Sequence, residues 1–474
     1  MTAAIDEILA FAPASELRKL IAGKELSPVE LTEMYLRRID RLDSRLDSYL
    51  TVAHDQAISA ARSAEEAVMR GDDLGPLHGL PISIKDLEMT RGLRTTSGSL
   101  IFEDRVPDED SVVVERVRQS GAVILGKTNT PEFGQSGTTE NHLGGPCRNP
   151  WNTERTSGGS SGGAGASTVA GLCALAQGSD GGGSIRIPSS FCGVYGLKPT
   201  QGRVPYYAGP SPAIPNHFSQ AGPMTRAVAD AAMLLQVLAG HDPRDPSSIR
   251  QAPPDFLAAL DRDVSGLRMA WSPDYGYAAV DPEVVEVASR AAMAFEEVGC
   301  TVEGSDISLD SPFDAFWTLF SAVGYTRLGL LLEKADMLTD YARECIEKGA
   351  SVTGADYAAS LAYLDRLRQQ FADLFDDYDL LLSPTMAVPA FPVDDRPARI
   401  AGRDVDSLWG FLPFTYPINM IGHPAASIPA GFSTEGMPIG LHIVGRWGDE
   451  ETVLAASAAF EKARPWIEGR PPVS

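Results

Sequence analysis

Two Gly/Ser-rich turns carry the residues best suited to chemistry, TSGGSSGG at 156–163 and SDGGGS at 179–184. Glycine at that density lets the backbone take dihedrals closed to other residues, or lets another group approach closely. In the second turn Gly181, Gly182 and Gly183 lead into Ser184, so a row of bare N–H groups surrounds one hydroxyl. Such a row can hold an oxyanion, provided Ser184 is a nucleophile. A serine needs a base to become one, and the usual base is histidine. The seven histidines, His54, His78, His142, His217, His241, His423 and His442, all lie outside this stretch. The segment LHGLPISIKD at 77–86 offers another base. Ile82 and Ile84 point to one face of a strand, Ser83 and Lys85 to the other. Lys85 is therefore a candidate buried amine, and burial favours the neutral, basic form near pH 7.

Other chemistries fit less well. A phosphate-binding loop ends in Gly-Lys-Ser/Thr, whereas Ser161-Gly162-Gly163-Ala164 lacks the lysine. A Ser-His-Asp hydrolase wants a Gly-x-Ser-x-Gly elbow, and Gly182-Gly183-Ser184-Ile185-Arg186 does not supply it. Lys127, after Gly126 at a strand end, is a second lysine to weigh as base and is read as structural.

The elements that must position these residues follow from pattern. Ser27-Pro28-Val29-Glu30 combines an N-cap serine, a proline at the first helical position and a glutamate three after the cap. A helix to about Asp43 follows, with apolar residues at 31, 35, 39 and 42 forming a core-facing stripe. Helices are also expected over 15–22, 55–70, 111–120, 163–170, 227–238, 312–334, 356–377 and 449–462. Strands are expected at 81–85, 122–125, 172–177, 425–430 and 440–444, with a loop from Gly126 to Gly134. Ser311 is expected to cap the 312–334 helix, with Pro312 at its first position. Tyr206, Tyr207, Pro210, Pro212 and Pro215 form an irregular segment suited to a pocket wall. Trp317, Phe320, Tyr325 and Leu328 form an apolar set on one predicted helix. Leu408, Trp409, Phe411 and Phe414 form another cluster.

These residues resemble the amidase signature hydrolases. The resemblance rests on GLPISIKD at 79–86, GGSSGG at 158–163, GSDGGGSIRIPSSFCG at 178–193, GLKPTQGRVP at 196–205, DLLLSPT at 379–385 and GHPAASIPAG at 422–431. It implies an α/β fold, a single compact domain over 1–474 with a central mixed sheet covered by helices on both faces. Within it fall a helical part at 1–75, a signature core at 76–235, a variable pocket region at 240–400 and a C-terminal part at 401–474. It also implies that Ser184 is the acyl-accepting nucleophile, Lys85 the base, and Ser160 rather than Ser161 the bridging serine, after a cis peptide bond. The N–H groups of Gly181, Gly182, Gly183 and Ser184 would surround the oxyanion. Ser161, Asp180 and Arg186 would support the turns. Gly134, with Phe133, falls at a substrate-contact position, and Tyr207, Trp317 and Trp409 are expected pocket residues. The substrate would be a small, apolar or aryl amide, anilide or acyl hydrazide. One branch of the family is the amidase subunit that transamidates glutamyl-tRNA. Its members carry glutamine and alanine where this chain has Ile187, Ser189 and Ser190. A catalytically degenerate binding member is the remaining alternative.

Composition bounds the partners. Forty basic against sixty-three acidic residues give a net charge of −23, a field that repels phosphate backbones and anionic lipid. The five cysteines, Cys147, Cys173, Cys192, Cys300 and Cys345, form no CxxC pair, so neither a zinc site nor a disulfide framework is expected. Cys192 is expected to be a small buried hydrophobe. No metal or organic cofactor is required. MTAAIDEILAFAP lacks the basic and apolar regions of a signal peptide. In the most apolar stretch, 315–332, Thr318, Ser321, Thr326 and Arg327 interrupt the run. A cytoplasmic enzyme is expected, and by resemblance a homodimer.

Overall fold

The computed structural model describes residues 3–207 and 218–474. Eleven strands build one mixed sheet: β1 (Tyr49–Val52), β2 (Pro81–Lys85), β3 (Val123–Thr128), β4 (Leu175–Asp180), β5 (Tyr195–Lys198), β6 (Gln220–Thr225), β7 (Arg268–Trp271), β8 (Thr301–Gly304), β9 (Leu380–Pro384), β10 (Ala425–Phe432) and β11 (Pro438–Gly445). Their spatial order is β1-β3-β2-β4-β6-β5-β10-β11-β9-β7-β8. β2 runs parallel to β3 and β4, and β9 parallel to β7. The centre of the sheet, from β4 through β9, is antiparallel.

Strand side chains alternate between faces, and the buried residues divide accordingly. Leu380, Leu382, Ala426, Ile428, Leu441 and Ile443 join one apolar cluster, together with Leu31, Met34 and Leu454 from helices. Leu381, Ala425, Ile439 and Val444 join the other, with Phe316, Leu364 and Phe371. The sheet is thus covered by helices on both faces, as expected, and the strands read as nearly continuous apolar runs. Each Leu or Ile so buried contributes about 1.5–3 kcal/mol.

The Pro28–Leu42 helix begins as its sequence dictates, with Ser27 Oγ accepting from the N–H groups of Val29 and Glu30. Two strands start later and run further than expected. β3 covers 123–128 rather than 122–125, and β4 covers 175–180 rather than 172–177. Lys127 and Thr128 therefore belong to a strand, not a loop. Polar residues mark the expected end of both strands. The strands continue past them because their C-terminal ends lead into buried polar groups that satisfy them.

The long helix of the variable region spans Phe313–Leu328 and passes into 3-10 turns over Gly329–Met337. Pro312 is its N-cap and no side chain caps it, so Ser311 does not take that role. By length and composition this 25-residue stretch is the one segment, among the described residues, that meets the measure of a membrane-crossing helix, a measure that the core helix of a soluble protein also meets. The next long helix, Gly354–Asp377, opens on a capping box formed by Thr353 and Asp356.

Candidate active site

Lys85 ends β2 fully buried. Its Nζ lies 2.7 Å from Ser160 Oγ, 2.9 Å from Ser161 Oγ and 3.1 Å from Ser179 Oγ. The Gly159–Ser160 peptide is cis, and Ser160 and Ser161 lead into the Gly162–Val169 helix. Burial pushes the Lys85 amine down to about 7, against the opposing pull of Asp180 and Glu88. A neutral amine presents one lone pair, and Ser160 is the nearest hydroxyl to fill it.

Ser184 follows β4, and its carbonyl accepts from Ser161 N–H at 3.1 Å, which ties the two turns together. Ser184 is buried, with 9% of its surface exposed. Among the described residues no hydrogen bond joins its Oγ to Ser160 Oγ.

The turn before Ser184 is framed by Asp180. Its carboxylate accepts from Gly183 N–H at 2.7 Å and Ile185 N–H at 3.2 Å. The expected row of four N–H donors is thereby reduced. Gly183 N–H serves the turn, leaving those of Gly181, Gly182 and Ser184, which make no hydrogen bond among the described residues. Gly183 itself must be glycine: its φ is +132° and a Cβ would lie 2.4 Å from Thr415 Oγ1.

Arg186 grips Asp180 bidentately, Nε to Oδ2 at 2.9 Å and Nη2 to Oδ1 at 3.0 Å. Burial alone would raise the Asp180 carboxyl, but the guanidinium holds it well below the usual carboxylate range. The same Arg186 donates from Nη1 to His442 Nε2 at 3.0 Å and from Nη2 to Asn419 Oδ1 at 2.5 Å. Burial first, and Arg186 second, keep His442 neutral. Its proton therefore sits on Nδ1, 3.4 Å from Ser383 Oγ. Asn419 Nδ2 donates to both the carbonyl and Oδ1 of Asp180, and Thr415 Oγ1 donates to Gly182 carbonyl at 2.7 Å. Asp180 and Arg186 were expected here. Thr415, Asn419 and His442 were not.

An aromatic wall stands over the glycines. A Cβ on Gly182 would meet Phe316 Cζ at 3.0 Å and Trp409 Cζ3 at 3.4 Å, and one on Gly181 would meet Phe320 Cε2 at 3.8 Å. Phe316 and Phe320 stack at 5.3 Å, and Trp317 lies 5.4 Å from Trp409 between ring centroids. Trp317 and Trp409, expected from distant parts of the sequence, thus meet beside the turn. Tyr325 is exposed and Leu328 half-buried further along the helix.

Gly134 lies against Ser160. At φ +73° it has no Cβ, and one would fall 3.2 Å from Ser160 Oγ and 2.8 Å from Leu87 Cδ1. Phe133 turns its ring edge to Phe102 at 6.2 Å instead. Tyr207 lies under the Arg244 guanidinium at 4.6 Å, and it is Tyr206 that reaches the 313–328 helix, through Arg327 Nη1 at 3.1 Å. Pro210, Pro212 and Pro215 lie outside the described residues. Lys127 points away from Ser160, donating to Thr90 Oγ1 at 2.8 Å and to the Glu88 carbonyl. Cys192 is buried, its Sγ donating to Ser157 carbonyl. Among the described residues no group of three His, Cys, Asp or Glu is placed to hold a metal ion.

A buried amine against a serine, beside a glycine turn with open N–H groups, is equipment for acyl transfer. The comparisons with known proteins agree. The chain belongs to the Amidase family, whose model matches residues 30–454. It is 39% identical to an acylamidase of Rhodococcus erythropolis over 465 residues, covering 97% of this chain and 96% of that protein. It is also 39% identical to a glutamyl-tRNA(Gln) amidotransferase subunit of Moorella thermoacetica, over 98% of this chain and 99% of that one. Among solved structures, a bacterial aryl acylamidase of the amidase signature enzymes superposes with a TM-score of 0.92 at 33% identity, covering 97% of this chain and 99% of the other. The chain is accordingly a hydrolase of the amidase class, acting on carbon–nitrogen bonds other than peptide bonds.

Proposed function

We propose that this protein hydrolyses small amides with an apolar or aryl group, by way of an acyl-serine on Ser184. Neutral Lys85 takes the proton of Ser160, and Ser160 takes that of Ser184. Ser184 Oγ bonds to the carbonyl carbon, and the N–H groups of Gly181, Gly182 and Ser184 receive the oxyanion. In comparable sites each such donor is worth about 3–4 kcal/mol. The proton returns through Ser160 to the leaving nitrogen as the C–N bond breaks. Water then attacks the ester through the same relay, releasing the acid and restoring Ser184.

The observation that carries this reading is the 2.7 Å contact between a fully buried, near-neutral Lys85 and Ser160 Oγ. The aromatic wall of Phe316, Trp317, Phe320 and Trp409 beside Gly181 and Gly182 supports a flat, apolar substrate group.

The equal identity to the amidotransferase component keeps a second reading open, a partner-dependent glutaminase. The aromatic wall favours the first, since it offers little to a glutamine side chain. One experiment separates them. The protein is mixed with aryl and alkyl amides, anilides, hydrazides and esters, quenched early, and examined by mass spectrometry, with Ser184→Ala as control. An acyl adduct on Ser184 supports the amidase. Turnover of glutamine alone, with co-purification of two partner chains, supports the partner-dependent glutaminase. Failure to label any serine with a fluorophosphonate points to a binding role.

A further inference from the structure

We infer that Thr415 is a positioning residue for the reaction: its hydroxyl fixes the peptide that carries the oxyanion-binding N–H groups of the Ser184 turn on either side. The inference rests on the reading of Ser184 as nucleophile. A trans peptide points its carbonyl and its N–H in opposite directions. The Gly182–Gly183 peptide is trans and is held at both ends. Thr415 Oγ1 donates to the Gly182 carbonyl at 2.7 Å, and Asp180 Oδ1 accepts the Gly183 N–H at 2.7 Å. Thr415 Oγ1 also lies 3.2 Å from the Leu412 carbonyl, but its single proton goes to the shorter contact. The unbonded N–H groups of Gly182 and Ser184 belong to the neighbouring peptides, each joined to the clamped one through a glycine Cα. Glycine has no side chain to restrict rotation there. Hydrogen bonds must do so if the donors are to stand preorganised.

The clamp comes from one short helix. Thr415 is fully buried as the N-cap of Tyr416–Ile421 and stands against Gly183, where a Cβ would lie 2.4 Å from its Oγ1. Asn419, one turn on, donates from Nδ2 to the Asp180 carbonyl at 3.0 Å and to Asp180 Oδ1 at 2.8 Å. The hydrogen bonds close a ring, from Thr415 to Gly182, from Gly183 to Asp180, and from Asn419 back to Asp180. The two ends of the clamp are not equally secured. Asp180 has both Arg186 and Asn419 behind it, whereas among the described residues the Gly182 carbonyl accepts from Thr415 alone. The hydroxyl of Thr415 is therefore the point at which the turn can be loosened without disturbing a buried charge.

The test sets binding of a tetrahedral adduct against binding of substrate. With an aryl trifluoromethyl ketone, Ser184 Oγ adds to the carbonyl carbon, its proton passes through Ser160 to Lys85, and the carbonyl π electrons become the oxyanion. Thr415→Val removes the hydroxyl and keeps the branched shape. It is expected to lower kcat for the best anilide about ten- to a hundredfold with KM within about threefold of the parent, and to weaken the ketone by a similar factor. Thr415→Ala must act the same way and stands in if Thr415→Val fails to fold, whereas Thr415→Ser recovers most of both losses. Parent-like kcat and ketone affinity in Thr415→Val and Thr415→Ala overturn the inference. So does a loss confined to KM, or one that Thr415→Ser shares in full. Ser184→Ala separates the two readings. If it binds the ketone as tightly as the parent, Ser184 is not the nucleophile and the inference falls with it. If it loses the ketone while the Thr415 variants keep it, only the role of Thr415 fails.

Discussion

Arg186 Nη1 and His442 Nε2 stand 3.0 Å apart although 256 residues separate them in sequence. The contact commits the histidine to accepting, and so removes it from base chemistry. It also gives the arginine that holds the Ser184 turn an acceptor for Nη1. His442→Leu leaves a buried N–H of Arg186 without an acceptor, at a cost of about 1–3 kcal/mol. A lower Tm and a lower kcat are expected together, with His442→Gln restoring much of both.

The pH dependence tests Lys85 as the proposed base. Its amine is lowered to about 7, so the neutral form grows as pH rises through that value. The rate is expected to rise about tenfold per unit below pH 7 and to level off above it. Lys85→Ala loses nearly all turnover, and Lys85→Arg does not recover it, because a guanidinium stays protonated. Appreciable activity in either variant, measured on the best substrate, would remove Lys85 from the mechanism.

Asp180 governs acid stability. Its carboxyl lies below the ordinary value of about 3.9. Its contribution is therefore fully present above that pH and is lost as pH falls through the folded-state value. Asp180→Asn removes this term and leaves Arg186 buried without its anion, a loss of about 3–5 kcal/mol. Urea titrations of parent and variant at neutral pH, and again in strong acid, should show the difference shrinking in acid.

Substrate choice tests the place of Trp317 in the proposed pocket. It is half-buried and packs on Trp409 and Phe320 rather than deep in the core. Trp317→Leu is expected to lower kcat/KM for anilides about tenfold or more, with a smaller change for short aliphatic amides. Equal losses on both series would point to general damage instead.

Much of this site is legible in the sequence alone. Gly181 to Ser184 and Ser157 to Gly163 announce themselves because glycine and serine cluster there for no core-building reason. Lys85 stands out as the charge in an apolar strand. Thr415, Asn419 and His442 give no such signal. Each is a single polar residue in an apolar run, and its partner is adjacent only after β10 and β11 have taken their places. Tyr206 and Tyr207 show the same limit: composition marks the segment, but which ring reaches Arg327 depends on backbone direction. The Arg186–Cys192 helix is not expected from sequence, because Ile187-Pro188-Ser189-Ser190 has little helical propensity and is held by tertiary burial.

The sheet order has a consequence for synthesis. β10 and β11 are the last strands made, yet they lie in the middle of the sheet, between β5 and β9. A ribosome must deliver residue 445 before the two wings can be joined. A chain that stops before residue 419 lacks both Asn419 and His442, the partners of Arg186 from this end of the sequence. A chain that stops short of β11 can carry Lys85, Ser160 and Ser184 and still lack the strand that joins the two wings and brings His442 to Arg186.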